Sequence, residues 1–502
     1  MAEKSWGKKP IFVRMAAALR GLRRKPWRKW LGLFLLAAFV STFLVLEFFS
    51  RGAARIFNYA IERQDMLRGA ITVEKLLADF TGHVQFENLV WKDPEGHTIL
   101  QVPQGSFIVV PWDVITGRLS STTIRALTLH DAAISVHLDK DMNVDFVRPS
   151  PAVIRAGEYP AEDWEREISL AGKSEEELKA IGEARRQRQR IRLERQLSNF
   201  NRAGRGIHLE LTLDKCRVEI FHKERHYLFN PVRVNAVVDT DGLTRIQATT
   251  GGFGGTMVGS GLSMHGNIDF RVRPVPICDL TMMLYEVDPS SLGFGMNLKD
   301  RMTLLSHFEG PVSRPVGRGV IKMKELHIPA LHFTDVVGSI RYEDGDLRFD
   351  DVSADVYGGR LLANGAYNLD TRYYRIDGQG AGLRSDQALT GSGLACAVDL
   401  DIHVESKGGP QQTTFYGSFR SGEGHYRRFP FTYLSGNFYE AYHDLRFSDL
   451  NIQMAAFRIS TDALTFKDGK LTLREIRLTD EGGQLLHVLE PPEGRAEGTA
   501  AP

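Results

Sequence analysis

The sequence predicts a mainly β fold: an elongated, repetitive antiparallel sheet with a charged helical insertion. Three observations predict it. Apolar residues alternate with polar ones at a spacing of two over most of the chain from 206 onward. Turn residues punctuate those runs at short intervals, and the composition, with 48 Gly and 28 Phe among 502 residues, suits strands joined by turns. A phrase of aromatic, double glycine and apolar residues occurs twice, as GGFGGTMVGSGLSM from Gly251 and as DVYGGRLLANGAYN from Asp355. The formal net charge is +1, so nothing in the balance points to nucleic acid as a partner.

Residues 1–29 form a basic stub, with Lys8, Lys9, Arg20, Arg23, Arg24, Lys25, Arg28 and Lys29 among its cations. It is either a basic amphipathic helix on a membrane surface or a solvated positive tail. Residues 30–50 contain WLGLFLLAAFVSTFLVLEFF, Trp30 to Phe49. As a helix this stretch is about 30 Å long, enough to cross a bilayer core. It is too long for the apolar region of a cleaved signal, and LEFFSRG is a poor cleavage site. The excess of cations before the span places the N-terminus in the cytoplasm and the bulk of the chain across the membrane.

Residues 51–150 read as a β module. HVQFENLVWKDPEGHTILQV gives two strand runs around a Pro-Glu-Gly turn, and Ile124, Leu127, Leu129, Ile134, Val136 and Leu138 follow near period two. Residues 151–205 change character. EDWEREISLAGKSEEELKAIGEARRQRQRIRLERQLSNFNR has no proline and is rich in Glu, Arg, Gln and Leu, so it reads as one or two charged helices. The Arg185–Arg195 run is expected to be a solvated helix face.

Strand pattern resumes over 206–490. GIHLELTLDKCRVEIF is expected to be a hairpin, with Ile207, Leu209, Leu211 and Leu213 on one face and Val218 and Ile220 returning. The stretch from Phe229 aligns without a gap on that from Phe333: Leu243 meets Leu347, Phe253 meets Tyr357, Gly254-Gly255 meets Gly358-Gly359, and Gly261 meets Gly365. A degenerate third copy begins at Phe431, where LRFSDL matches LRFDDV and Ala455-Ala456-Phe457 falls where the double glycine would be. Copies spaced by roughly one hundred residues are a building unit. Gly254, Gly255, Gly358 and Gly359 are therefore read as turn glycines. A phosphate loop would need a helix after them, and a strand follows instead. Residues 491–502 are a disordered tail by composition.

No chemistry-bearing motif is found. Asp139–Asp145 begins like a calcium loop but has Val144 for the central glycine and Ser150 for the closing glutamate, so it reads as a turn. His222 and His226 have ligand spacing only on a helix. Cys216, Cys278 and Cys396 are widely spaced, and at most one pair could form a disulfide. No metal, cofactor or enzymatic activity is expected.

The basic stub and single anchor, with GHVQFENLVWKDPEG, the PWDVITGRLSSTTIRALTLHDAAISVHLDKDMNVDF stretch and the repeat LRFDDVSADVYGGRLLANGAYNLD, resemble the AsmA-like family of bacterial envelope proteins and the bridge-like lipid-transfer proteins akin to it. The resemblance implies a single-pass inner-membrane protein whose periplasmic β-groove carries phospholipid between inner and outer membranes in outer-membrane homeostasis. Its implied partners are phospholipid, the inner membrane and an envelope protein completing the bridge. The chain departs from the family in being short. A non-enzymatic scaffold assisting outer-membrane protein assembly is the alternative. A curled strand ribbon puts one side chain in two on its concave face. Val336, Ile340, Leu347, Phe349, Val356 and Leu361 are the candidates for that lipid-facing wall, the other reading being ordinary sheet core.

Overall fold

The computed structural model describes residues 69–79, 81–116, 122–138, 173–222 without 201–205, 224–292, 298–328, 331–407, 412–442, 444–467 and 470–489. The anchor, the basic stub, the Asp139–Asp145 turn and the tail lie outside them. Among the described residues no helix is long and apolar enough to cross a membrane.

All 26 strands belong to one sheet. The first module holds β1 (Ala70–Ala78), β2 (His83–Lys92), β3 (Thr98–Val109), the short helix α1 (Pro111–Thr116), β4 (Ile124–His130) and β5 (Ala133–Leu138). Helix α2 (Glu175–Phe200) follows. Then come β6 (His208–His222), β7 (Arg225–Asp239), β8 (Leu243–Thr250), β9 (Phe253–Gly255), β10 (Gly261–Asp269), β11 (Ile277–Val287), β12 (Met302–Pro311), β13 (Val316–Ile328), β14 (Leu331–Glu343), β15 (Asp346–Val356), β16 (Gly359–Asn368) and β17 (Tyr374–Arg384). After helix α3 (Ser385–Ala388) the sheet ends with β18 (Leu394–Ser406), β19 (Thr413–Tyr426), β20 (Phe429–Phe431), β21 (Tyr433–Ala441), β22 (Asp444–Gln453), β23 (Arg458–Lys467), β24 (Lys470–Leu473), β25 (Ile476–Thr479) and β26 (Leu485–Leu489).

Neighbours in sequence are mostly neighbours in the sheet, because two- to five-residue turns can only fold a strand back beside itself. Asp344 (φ 49°) and Gly345 (φ 88°) make such a turn between β14 and β15. Among the described residues β1 pairs only with β2 and β26 only with β25, so the two ends of the ribbon do not pair with each other. At ~4.8 Å per rung the ribbon is about 100 Å along its length.

The expected hairpin in GIHLELTLDKCRVEIF is not a hairpin. β6 is one fifteen-residue strand, with a bulge where Lys215 takes φ 54°. The bulge is matched by Asp131 (φ 52°), which separates β4 from β5 on the neighbouring rung. β4 and β5 both run parallel to β6. Parallel neighbours need a long crossover, and the segment holding the charged helix supplies it. The helical insertion is thus a topological link as well as a surface element.

Helix α2 begins with a reciprocal cap: the Glu177 N–H donates to Ser174 Oγ (3.3 Å) and the Ser174 N–H donates to Glu177 Oε2 (2.9 Å). Its basic face meets hairpin tips. Arg190 Nη2 lies 2.6 Å from Asp344 Oδ1, Arg186 pairs with Asp370, and Ser313 Oγ donates to Glu194 Oε1 at 3.3 Å. Part of the basic run read as solvated therefore straps three successive tips of the sheet.

The tightest core lies at the start of the ribbon. Phe86, Val102, Phe107, Leu129, Cys216 and Val232 are among the buried residues of one cluster spanning β1 to β7. Met323, Phe333, Val336, Ala354, Val356 and Leu383 form a second, and Met257, Leu284 and Val287 a third.

Candidate functional site: a charge-free face of the sheet

Residues directly opposed in neighbouring strands share a face. One such row can be followed through Leu129, Leu213, Val234, Ala248, Met264, Met282, Ser306, Gly319, Ile340, Phe349, Gly365, Ile376, Val404 and Phe415. It crosses from β4 to β19 without one ionisable side chain, over about 60 Å. Glu440 on β21 is the first charge it meets. A neighbouring row, Tyr342, Leu347, Tyr367, Tyr374, Ser406 and Thr413, is likewise uncharged.

Shifting by one residue gives the opposite face. There Arg318, Arg341 and Arg348 lie side by side, Asp355 opposes Arg360, and Lys322 opposes Val337. A shallow depression is lined by Glu210, Asn235, Gln247 and His265 together with Leu211, Val237 and Ile246, so its wall is mixed. The ion pairs that do form, such as Arg318 with Glu309 and Arg420 with Asp399, are solvent-exposed.

All six candidates lie on the charge-free face, in two environments. Val336 and Val356 are buried at 2% and 3% exposure, and Leu361 packs against the cluster that holds them. Ile340, Leu347 and Phe349 sit on the open rows and are half-buried. So are Ile376, Leu400, Ile402, Val404, Phe415 and Phe419 beyond them. Partial exposure of so many apolar residues in register leaves a continuous apolar surface that costs free energy in water.

Glycines fit large neighbours onto this face. A Cβ on Gly378 would come 3.1 Å from Ile402 Cγ2, and one on Gly436 would come 2.8 Å from Leu450 Cδ2 and 2.9 Å from Phe419 Cζ. The repeat glycines divide. Tyr357 (φ 47°) and Gly358 (φ 72°) form the turn into β16, and Gly359 starts that strand 2.5 Å from the Ala381 carbonyl oxygen, measured from where its Cβ would be. Gly254 and Gly255 instead close the short strand β9, which pairs with β7. The Thr256 N–H donates to the His226 carbonyl at 2.6 Å, so the first copy inserts an extra rung before its turn. In the third copy the Met454 N–H donates to the Phe457 carbonyl at 2.9 Å, making the turn without glycine.

The remaining chemistry is structural. Cys216 and Cys278 are buried free thiols, and burial pushes both up from the ordinary cysteine range. His226 stacks on Phe221, which stacks on His137, while His226 Nε2 lies 2.9 Å from Glu219 Oε2. Sequence reasoning passed over a different group, Glu325, His327 and His332, whose ligand atoms lie within 4.8 Å of one another. Its signal was Glu-x-His just before a tight strand reversal with a second His after it.

Set beside protein-family models, curated proteins and solved structures, the chain matches none of them.

Proposed function

We propose that this chain is an inner-membrane-anchored envelope protein whose charge-free face shelters the acyl chains of phospholipid during transfer between inner and outer membranes. One observation carries the reading: an uninterrupted apolar row, partly exposed along β14 to β19, on a ribbon whose other face is charged. Each exposed methylene of an acyl chain costs ~0.8 kcal/mol in water, so a two-chain lipid leaves a bilayer readily only onto an apolar surface. A row without ionised groups offers similar contacts at every rung, which lets a tail slide without a deep trap. The N-terminal apolar span and its basic flank supply the tether, with the bulk of the chain on the periplasmic side. The reading is non-enzymatic and invokes no cofactor.

A second reading is favoured by the end of the ribbon. Among the described residues β26 is an edge strand, and Leu485, Leu486 and Leu489 on it are each more than half exposed. An apolar edge can add a strand from another envelope protein, either to complete a bridge or to assist that protein's assembly.

A photo-crosslinking residue at Phe349 of the full chain, irradiated in cells, separates the readings. Phospholipid adducts at Phe349, absent from a crosslinker at the charged-face residue Arg348, are the expected result. Adducts to protein alone at Phe349 would sink the transfer reading and leave the scaffold.

A further inference from the structure

We propose that Glu325, His327 and His332 form a divalent transition-metal site of the zinc class at the β13–β14 tip, with Asp300 as its positioning residue. The site is independent of the lipid reading. It lies on the charged face, since Glu325 and His327 flank Leu326, which packs against the apolar cluster on the other side.

The local geometry follows from strand pairing. Residues two apart on a strand share a face, which puts Glu325 beside His327. The antiparallel register then sets His332 directly opposite His327. Their imidazoles stack with centroids 4.3 Å apart at 12°. All three side chains are solvent-exposed, so an ion can reach them.

Asp300 gives the cluster the character of a ligand set. Its Oδ1 lies 2.9 Å from His327 Nδ1 and its Oδ2 accepts the His327 backbone N–H at 2.6 Å. A carboxylate on Nδ1 fixes the tautomer with the proton there and leaves Nε2 with a free lone pair. Metal-binding histidines are oriented in this way.

Two imidazole nitrogens and one carboxylate oxygen, with water as a fourth ligand, suit Zn2+ and its neighbours Cu2+, Ni2+ and Co2+. Tetrahedral coordination needs the donors ~3.3 Å apart, closer than they stand. Turning the exposed His332 ring about χ2 out of the stack supplies that approach, while Asp300 holds His327. The bound ion would lock the ends of β13 and β14 together.

The test is Zn2+ titration of the untagged full-length chain in detergent micelles, by calorimetry and by competition with a chromophoric chelator. One saturable, EDTA-reversible Zn2+ is expected. His332→Ala and Glu325→Gln should each weaken it at least tenfold, and Asp300→Asn about 10- to 100-fold, with the far-UV spectrum unchanged. The Zn2+-bound chain should also exchange amides at 325–334 more slowly. Absence of saturable binding, or binding that all three substitutions leave intact, overturns the site. Two stacked imidazoles serving only as a cross-strand pair would give the first result.

Discussion

The first rungs of the ribbon and the rungs from β14 to β19 are written in the same alternation, yet they bury it differently. Around Val102, at 0% exposure, apolar side chains from β1 to β7 close on one another. Around Phe349 and Phe415 the equivalent side chains are half-open. The difference lies in the strand ordering. Near the start, β4 and β5 return parallel to β6 through a crossover, and bulges at Asp131 and Lys215 bend both rungs together. Bending brings one face onto itself. Further on, one antiparallel hairpin follows another; a second cluster closes around Val336, Ala354 and Val356, while the rows through Phe349 and Phe415 stay partly exposed. A shared pattern can therefore serve as core in one region and as a binding wall in another.

The widest split between the two regions should appear on truncating an aromatic ring. Phe86→Ala, at 3% exposure, is expected to cost about 3–5 kcal/mol, whereas Phe349→Ala should cost about 1–2 kcal/mol. Urea unfolding of the full chain measures both. Equal costs would make the β14–β19 face ordinary core and break the comparison.

Adding a methyl sharpens it. A Cβ on Gly105 would lie 2.3 Å from Phe86 Cζ and 2.8 Å from the Thr128 carbonyl oxygen, so Gly105→Ala should cost about 1–3 kcal/mol. Gly422 on β19 has nothing within 4 Å, and Gly422→Ala should shift stability by about 0.5 kcal/mol or less. The thermal midpoint of each variant reports the difference.

A smaller effect is expected where the helix crosses the tips. Arg190→Ala removes one ion pair to Asp344 and should cost no more than about 1 kcal/mol. Faster proteolysis within 175–200, with β14 to β19 as resistant as before, is the expected signature. Unchanged cleavage would mean the strap is held by its other contacts.

The least change is expected from acid at the β2–β3 turn. Asp93 is buried, which opposes its charge, but hydrogen bonds from the His97 ring and backbone hold its carboxyl below the usual range. A depressed carboxylate stabilises the fold above its unfolded pKa of about 3.9, and that contribution is lost as pH falls through the lower folded value. Amide exchange over 93–97 should therefore quicken below about pH 4. Exchange that stays unchanged through that range would show that the Asp93 carboxylate does not hold the turn.

Much of this was legible in the residues. Period-two alternation gave the strands, Asp344-Gly345 and Gly358-Gly359 marked turns, and the proline-free charged stretch gave helix α2. The GIHLELTLDKCRVEIF segment misled, because a bulge and a turn draw on the same residue types and only the partner strand distinguishes them. Gly254-Gly255 misled for a similar reason, since positive φ at Gly255 serves a strand end as well as a tight reversal. All six apolar candidates fell on one face, but Val356, seven residues beyond Phe349, reaches it only because a bulge at Asp351 (φ 52°) shifts the register. Which of them face solvent was not legible, since exposure depends on what lies across the sheet. Glu325, His327 and His332 escaped because their grouping needs a reversal between them.

By itself the sequence determined that this chain is a repeating β ribbon with one oily and one charged side, because side-chain alternation is a property of each strand alone. Only the tertiary structure decided where that oily side closes into core and where it stays open, and which polar residues meet at a hairpin tip. Closure and meeting depend on bends, crossovers and pairings between distant segments, and no local stretch of residues encodes those.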